Sequence, residues 1–263
     1  MGSAADRVKN PSRVSVWLDR RTPSRTRRTD QPAGLDRERI TAASVRLLDA
    51  EGLAGFSMRR LAAELDVTAM SLYWYVDTKD DLLELALDTV FGELPATPED
   101  ADWRDRLREL ATHYRTLLVR HPWVSALIGS FLNIGPHSML FSYAVQDVIR
   151  ATGLPPATRT GAMAAVFQFV YGFGSTEGHF VQRTVAAGLS QDEYYQRAMG
   201  TIRADPELKK AMEPSEDLMD ARGGNTVEEM RERDFEVALD LLIAGIEAMC
   251  GRPARQGGAP GAQ

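Results

Sequence analysis

Cysteine is almost missing from this chain. Cys250 stands alone, so neither an intramolecular disulfide framework nor a cysteine-rich zinc site can form. Histidine is scarce too: His113, His121, His137 and His179 show none of the HxxxH or HExxH spacings that put two metal ligands on one helical turn. No apolar run reaches the length of a membrane span. The longest candidate, residues 161–174, is short and broken by Gln168 and by glycines. Arginines and prolines interrupt the N-terminal stretch, which leaves no apolar core for a secretory signal. Neither an alternating strand pattern nor an internal repeat is present. These absences lead to the expectation of a helical protein of a reducing cytoplasm, with no membrane, metal or cofactor.

An enzyme would need a nucleophile with a base, a carboxylate pair, a metal cluster or a phosphate loop. Cys250 has no histidine near it in sequence. Gly172-Phe173-Gly174 is neither preceded by a strand nor followed by a phosphate-loop lysine. A helical enzyme is therefore the last of the alternatives. Positive charge is short as well, with 31 Lys and Arg against 37 Asp and Glu, a net charge of −6. The deficit is uneven. Residues 1–30 carry eight basic against three acidic groups (+5), residues 31–92 six against eleven (−5), and the remainder seventeen against twenty-three (−6).

What the chain does have is a dense pattern over residues 53–83. Ser57 is placed to N-cap a helix whose apolar residues Leu61, Ala62 and Leu65 share one face. Asp66 follows where the chain must turn sharply, and Asp is one of the few non-glycine residues that tolerate a left-handed backbone. Thr68 then caps a second short helix, 69–75, which must pack on its neighbours to exist. It bears Ser71, Tyr73, Trp74 and Tyr75. Three successive aromatics cover most of a helix's circumference, so they cannot all face one core. Two helices joined by so tight a turn are the geometry that seats a helix in the major groove of DNA. This stretch is acidic on average, so attraction to phosphate must come from the placement of Arg59, Arg60 and Lys79, helped by the N-terminal arm.

Residues 35–93 resemble the tetracycline-repressor (TetR) family of bacterial transcriptional regulators. The resemblance centres on Leu72-Tyr73-Trp74-Tyr75-Val76, then Lys79, then Leu82-Leu83. It implies a DNA-binding head followed by a larger domain that dimerises and binds a small effector. The implied function is a repressor that releases a near-palindromic operator when a largely apolar effector binds. At the positions the resemblance supplies, Thr68, Ser71, Tyr73 and Lys79 are expected to hold phosphates. Arg59, Ala69, Met70 and Tyr75 are expected to face base edges, with Trp74 in the same DNA-facing set. Ala69 and Met70 have no side-chain hydrogen bond to offer and would meet thymine methyls. An effector-independent DNA-binding protein is the alternative, and it leaves so large a second domain unexplained.

Composition divides the chain into a basic arm, 1–34, read as disordered, either a flexible extension without function or a DNA-contacting arm with Arg25, Arg27 and Arg28 as its candidate contacts. A head follows at 35–94, an effector-binding and dimerisation domain at 95–250, and a disordered tail at 251–263. Spacing predicts helices over 35–52, 78–92, 103–120, 123–131, 137–152, 158–187, 190–204 and 227–249, with a mobile loop over 205–226. The fold class is all-α, a three-helix helix-turn-helix head joined to a larger helical domain. The helix from residue 158 is apolar on nearly every face and must be buried on nearly every face. The helix from 227 carries Phe235, Leu239, Leu242, Ile243 and Ile246 at coiled-coil-like spacing. The resemblance makes these two the dimer interface. The family's tetracycline–magnesium members use a histidine in the segment matching residues 130–136; none stands there, which disfavours tetracycline. The candidate effector residues are Trp103, Phe131, Asn133, Gln168, Tyr171, Glu177 and His179, mostly polar groups set among apolar ones.

Overall fold

The computed structural model describes residues 14–18, 34–96 and 100–250. The expectations for Arg25, Arg27, Arg28 and the tail lie outside them. The described residues form twelve α-helices and no strand, in keeping with the all-α reading. Packing groups the chain into two units, Met1–Ala96 with His113–Ala144, and Thr97–Thr112 with Val145–Gln263. A border near Pro95 separates helices along the chain, whereas compactness draws His113–Ala144 to the head.

In the first unit, α1 (Arg37–Gly55) is capped by Asp36, whose side chain accepts the Arg39 N–H. Gly52, the expected stop, does leave helical geometry at φ 65°, and one further turn follows it. Ser57 caps α2 (Met58–Glu64), Asp66 turns the chain at φ 54°, and Thr68 caps α3 (Ala69–Leu72), all as the side chains predict. Helix α3 is shorter than expected. Tyr73 closes it, and the aromatic run lies in the turn beyond. Helix α4 (Lys79–Phe91) opens on a capping box, Thr78 accepting the Asp81 N–H and Asp81 accepting that of Thr78.

Residues 82–88 of α4 are all buried. Seven successive residues wind nearly twice round a helix axis, so no face of this stretch is left to water. The buried set includes two acids one turn apart, Glu84 and Asp88. Asp88 accepts the Ser138 N–H at 2.9 Å and faces His137 Nδ1 at 3.0 Å, at the start of the helix Pro136–Ala151. That helix is α7, following α5 (Trp103–Arg120) and α6 (Trp123–Ile128). First-turn amides lack partners inside their own helix, and a carboxylate supplies both acceptor and favourable charge. Gly135 permits the approach, since a Cβ there would overlap the Asp88 carboxylate. Phe91, Tyr114 and Phe141 cluster beside it, with ring centroids 5.3–6.4 Å apart. Within the stretch read as a disordered arm, residues 14–18 instead form a turn on α4, bonded through Glu84.

The second unit holds α8 (Pro156–Ala186), α9 (Gln191–Ala204), α10 (Pro206–Met212), α11 (Glu216–Arg222) and α12 (Val227–Cys250). The loop expected over 205–226 is thus largely helical. Asp205 caps α10 by accepting from the Glu207 and Leu208 amides, and Pro206 occupies its first turn. A proline there needs no N–H partner, so a residue read as a breaker is a start. Phe169 and Phe173 of α8 pack on Phe235 of α12 at 5.5 and 5.3 Å between centroids. Helix α8 is not buried on nearly every face within one chain. Its buried positions are Val166, Val170, Gly174, Glu177, Gly178 and Thr184.

His121 ties the first unit together. The ring is buried, with Nδ1 2.7 Å from Asp49 and Nε2 3.2 Å from Glu93, while Trp123 Nε1 donates to the same Asp49 oxygen at 2.7 Å. Burial alone would lower the imidazole pKa, but hydrogen bonds and charge from Asp49, then Glu93, outweigh it and leave the pKa raised. A raised folded pKa means that His121 contributes stability fully below its unfolded value of about 6.5, and loses it as pH climbs through the folded value. In urea titrations from pH 6 to 9, the stability gap between wild type and His121→Gln should be widest at pH 6 and close as pH rises. A gap constant across that window would show that the ring is not a cation in the fold.

Candidate nucleic-acid interface

The short helix α3 depends on its ends and its neighbours. Thr68 accepts the Ser71 N–H at 3.2 Å and shares a hydroxyl–hydroxyl bond with Ser71 at 2.8 Å. Leu72 is fully buried and pins the helix to the head. These constraints turn the remaining side chains outward. Met70 is 68% exposed, and Tyr73, Trp74 and Thr68 are exposed beside it, with Ala69 half-buried. Arg59, on α2, is exposed as well. Thus Arg59, Thr68, Met70, Tyr73 and Trp74 are exposed, and Ala69 is half-buried, on α2, α3 and the turns beside them.

Three residues of the expected set are placed differently. Ser71 is buried and its hydroxyl is taken by Thr68, so it serves the cap rather than a phosphate. Tyr75 turns inward. Its hydroxyl donates to the Leu35 carbonyl at 2.7 Å, and burial, then the charge of Asp36, push its phenol above the usual range. It therefore ties the end of the recognition segment to the chain entering α1, and is not aimed at base edges. Lys79 Nζ donates to the Phe56 carbonyl at 2.8 Å and lies 5.3 Å from the centre of the Phe56 ring. Arg60 is likewise engaged, in an ion pair with Glu51. The aromatic run thus divides by direction, two rings out and one in, because α3 ends at Leu72 and the chain leaves helical geometry.

The expected effector residues fall in both units. Phe131 and Asn133 belong to the first. Asn133 adopts φ 51°, and its amide donates to the carbonyls of Ile128 at 2.7 Å and Phe131 at 3.1 Å, closing the turn before α7. Its Oδ1 is buried and has no partner among the described residues. In the second unit Trp103 is half-buried under the Arg104 guanidinium, Tyr171 is half-buried and Glu177 is buried. Gln168 and His179 are exposed, in line with Gly172 and Thr176 on the outer face of α8. Helical spacing set both beside apolar residues in sequence while turning them out of the interior. Two surface hollows of this unit, about 730 Å³ at Arg197, Gly200 and Pro206 and about 210 Å³ at Gln146, Arg159 and Met163, are lined by none of the expected residues. Asp88 and Glu84 were not among the sequence candidates. Two acids one turn apart within an otherwise apolar helix were the available signal.

A helix-turn-helix joined to a wholly helical partner unit is the architecture of a DNA-binding regulator of transcription. Residues 40–86 match the family model described as bacterial regulatory proteins of the tetR family, and residues 94–250 match the tetracyclin repressor-like C-terminal domain. The chain belongs to the TetR family of transcriptional regulators; it is a DNA-binding protein and not an enzyme. It is 39% identical over 164 residues to an HTH-type transcriptional regulator of Saccharopolyspora erythraea, spanning 62% of this chain and 67% of that one. It is 36% identical over 182 residues to the HTH-type transcriptional repressor DrrR1 of Streptomyces coeruleorubidus, spanning 68% and 66%. The chain thus spans about two thirds of the length of these relatives. Among solved structures, ActR from Streptomyces coelicolor is similar in its apo form and in its complex with actinorhodin, each with a TM-score of 0.64 and 26% identity. The apo match covers 84% of this chain and 98% of that one, and the actinorhodin match 84% and 99%. No helix of the described residues is long and apolar enough to cross a membrane.

The inward placement of Tyr75 has a direct consequence. Tyr75→Phe should lower unfolding free energy by about 0.5–1.5 kcal/mol, the usual net worth of one hydrogen bond. The sequence preference of the bound DNA, read by selection from a random library, should stay as in wild type. A changed preference with unchanged stability would return Tyr75 to the base-reading set.

Proposed function

We propose that the protein is a homodimeric repressor that leaves a near-palindromic operator when a small, largely apolar effector binds, acting in the cytoplasm. The observation that carries this reading is that α4 begins at Lys79, against the helix-turn-helix, and holds the start of α7 through Asp88 near its other end. Displacement of the turn at residues 130–136 would act on α4 through Asp88. The unfilled Asn133 Oδ1 in that turn, and the Phe91–Tyr114–Phe141 cluster near it in the fold, supply an acceptor and aromatic surface for a ligand. Dimerisation is supported by the outer faces of α8 and α12, where Val185, Val237 and Leu241 are exposed at 71%, 61% and 70%. Two copies place two recognition helices about one turn of DNA apart, roughly 34–36 Å, and a pivot of α4 spoils that spacing. Operator and effector then favour different states, and each weakens the other by the same factor.

In this reading Arg59, Ala69 and Met70 meet base edges, Thr68, Tyr73 and Lys79 hold phosphates, and Trp74 packs against the sugar-phosphate edge. Lys79→Gln keeps a donor for the Phe56 carbonyl and loses the charge. It should weaken binding to all duplexes alike and reduce the salt slope by about one unit. An unchanged slope removes Lys79 from the phosphate contacts.

The switch itself is tested with an operator selected from a random library and a compound panel headed by actinorhodin, the molecule bound in the related ActR structure. A compound that raises the melting temperature should lower operator affinity about 5- to 150-fold. Asp88→Asn should keep much of that thermal shift and lose most of the effect on DNA. Equal operator affinity with and without the bound compound would leave an effector-independent DNA-binding protein.

A further inference from the structure

We propose that His121 is a positioning residue for DNA binding: as a cation it braces the exit of α4 to α1, and loss of its proton frees α4 and lowers operator affinity. This rests on the reading of α4 as the lever of the head, and on no effector. Asp49 lies in the segment that matches the head, His121 in the segment that matches the C-terminal domain, and Glu93 between the two. Their side chains meet at one buried ring. The ring sits on a fixed corner. The His121 N–H donates to the Leu117 carbonyl at 2.9 Å, ending α5, and the Val124 N–H donates to the His121 carbonyl at 2.9 Å, opening α6. Pro122 stiffens the backbone between them. Glu93 is equally fixed to its helix, since its N–H donates to the Val90 carbonyl at 3.1 Å.

Two carboxylates on one imidazole decide its charge. A neutral ring has one N–H and one lone pair, so it donates to a single acid, whereas imidazolium donates to both. Here Nδ1 lies 2.7 Å from Asp49 and Nε2 3.2 Å from Glu93, so the arrangement calls for the cation. The charged groups at the ring are Asp49 from α1, Glu93 from the exit of α4 and, through Glu93 at 3.0 Å, Arg120 of α5; α6 contributes the uncharged Trp123. Burial opposes the charge, but the bonds and charges of Asp49, then Glu93, prevail and hold the pKa above its usual value. Loss of the proton falls unequally on the two acids. Asp49 has the shorter bond and also accepts from Trp123 Nε1, so the remaining proton stays on Nδ1. Nε2 then turns a lone pair on Glu93, which is left with the exposed Arg120, a surface pair of little worth. Helix α4 loses this tether while α1 keeps its own. The braced head therefore binds the proton more tightly than a pivoted one. By linkage, operator affinity is full below about pH 6.5 and falls as pH climbs through the raised pKa.

The test is the pH profile of affinity for an operator selected from a random library, with a mixed-sequence duplex as reference for the general effect of pH on DNA binding. Relative to that reference, wild type should lose about 3- to 10-fold between pH 6 and pH 9, tenfold corresponding to a one-unit pKa difference between the two states. His121→Gln should bind at pH 6 as weakly as wild type does at pH 9, with no such fall. Glu93→Gln should keep the pH 6 affinity of wild type up to pH 9, because a glutamine amide donates to a neutral Nε2. His137, bonded to α4 through Asp88, is present in every variant, so its titration is common to all the profiles. Thermal melting at each pH checks that the variants are folded, and histidine NMR of the full chain reads the charge on the ring. Glu93→Gln and the ring titration decide the matter if His121→Gln does not fold. A neutral ring at pH 6 overturns the brace, as does a Glu93→Gln profile that falls in parallel with wild type. A ring that titrates with no change in operator affinity overturns its role in DNA binding. A bound compound that leaves operator affinity unchanged at pH 6 sinks the effector-release reading instead, and leaves the brace standing.

Discussion

The head is organised around a helix that has no free side. Helix α4 is buried from Leu82 through Asp88, yet it carries two carboxylates in that span. Apolar neighbours alone would leave both acids unpaired at a cost that outweighs the packing they permit. The fold resolves this by bringing backbone amides from elsewhere in the chain. Residues 15–16 reach Glu84, and the first turn of α7 reaches Asp88. The two acids stand one turn apart, so both docked segments lie along one face of the same rigid rod. Such a rod transmits a displacement along its length more readily than a chain of flexible side chains does.

The exposed surface of helix α3 follows from how little the helix has of its own. Four residues are far below the length at which a helix persists in water, so its shape is imposed by the Thr68 cap, by Leu72 in the core and by the Tyr75 tether. Held this way, it presents Met70, Tyr73 and Trp74 on a surface that would otherwise hide such large side chains. Exposed apolar and aromatic groups are a liability to an isolated soluble protein and an asset to one that lays them against base edges and sugars. Glu51 and the Phe56 carbonyl hold two nearby cations, Arg60 and Lys79, in internal contacts, which limits indiscriminate adhesion to polyanions.

In the second unit the inner faces of α8 and α12 close on Phe169, Phe173 and Phe235. Their outer faces leave Val185, Val237 and Leu241 open to water. At about 25 cal/mol per Å² of apolar surface removed from water, ridges of this kind favour association with a matching copy. Small residues on α8, Gly172 and Ala165 among them, let another helix approach closely, while exposed Gln168 and His179 stand in the same surface. Those two polar groups face water and not the interior of the unit.

Local chemistry made much of this legible in advance. Ser57, Thr68, Thr78 and Ser190 cap helices because a hydroxyl accepts the orphan amides of a first turn wherever it stands before one, and Asp66 turns left-handed because its side chain tolerates that backbone. Most helix positions and the all-α class followed from period and caps alone, and the family from the aromatic run and the lysine after it. Direction and long-range pairing did not follow. That Tyr75 points in and Trp74 out depends on where α3 stops. That Asp205 and Pro206 begin a helix instead of a loop depends on what they cap. The meetings of Ser15 with Glu84 and of Asp88 with Ser138 join residues 69 and 50 positions apart, and no periodicity encodes them. Sequence by itself determined most of the helical segments, residues 206–222 excepted, because capping and period act within a few residues. Only the tertiary structure decided which buried carboxylate meets which amide, because that choice is made by packing the whole unit at once.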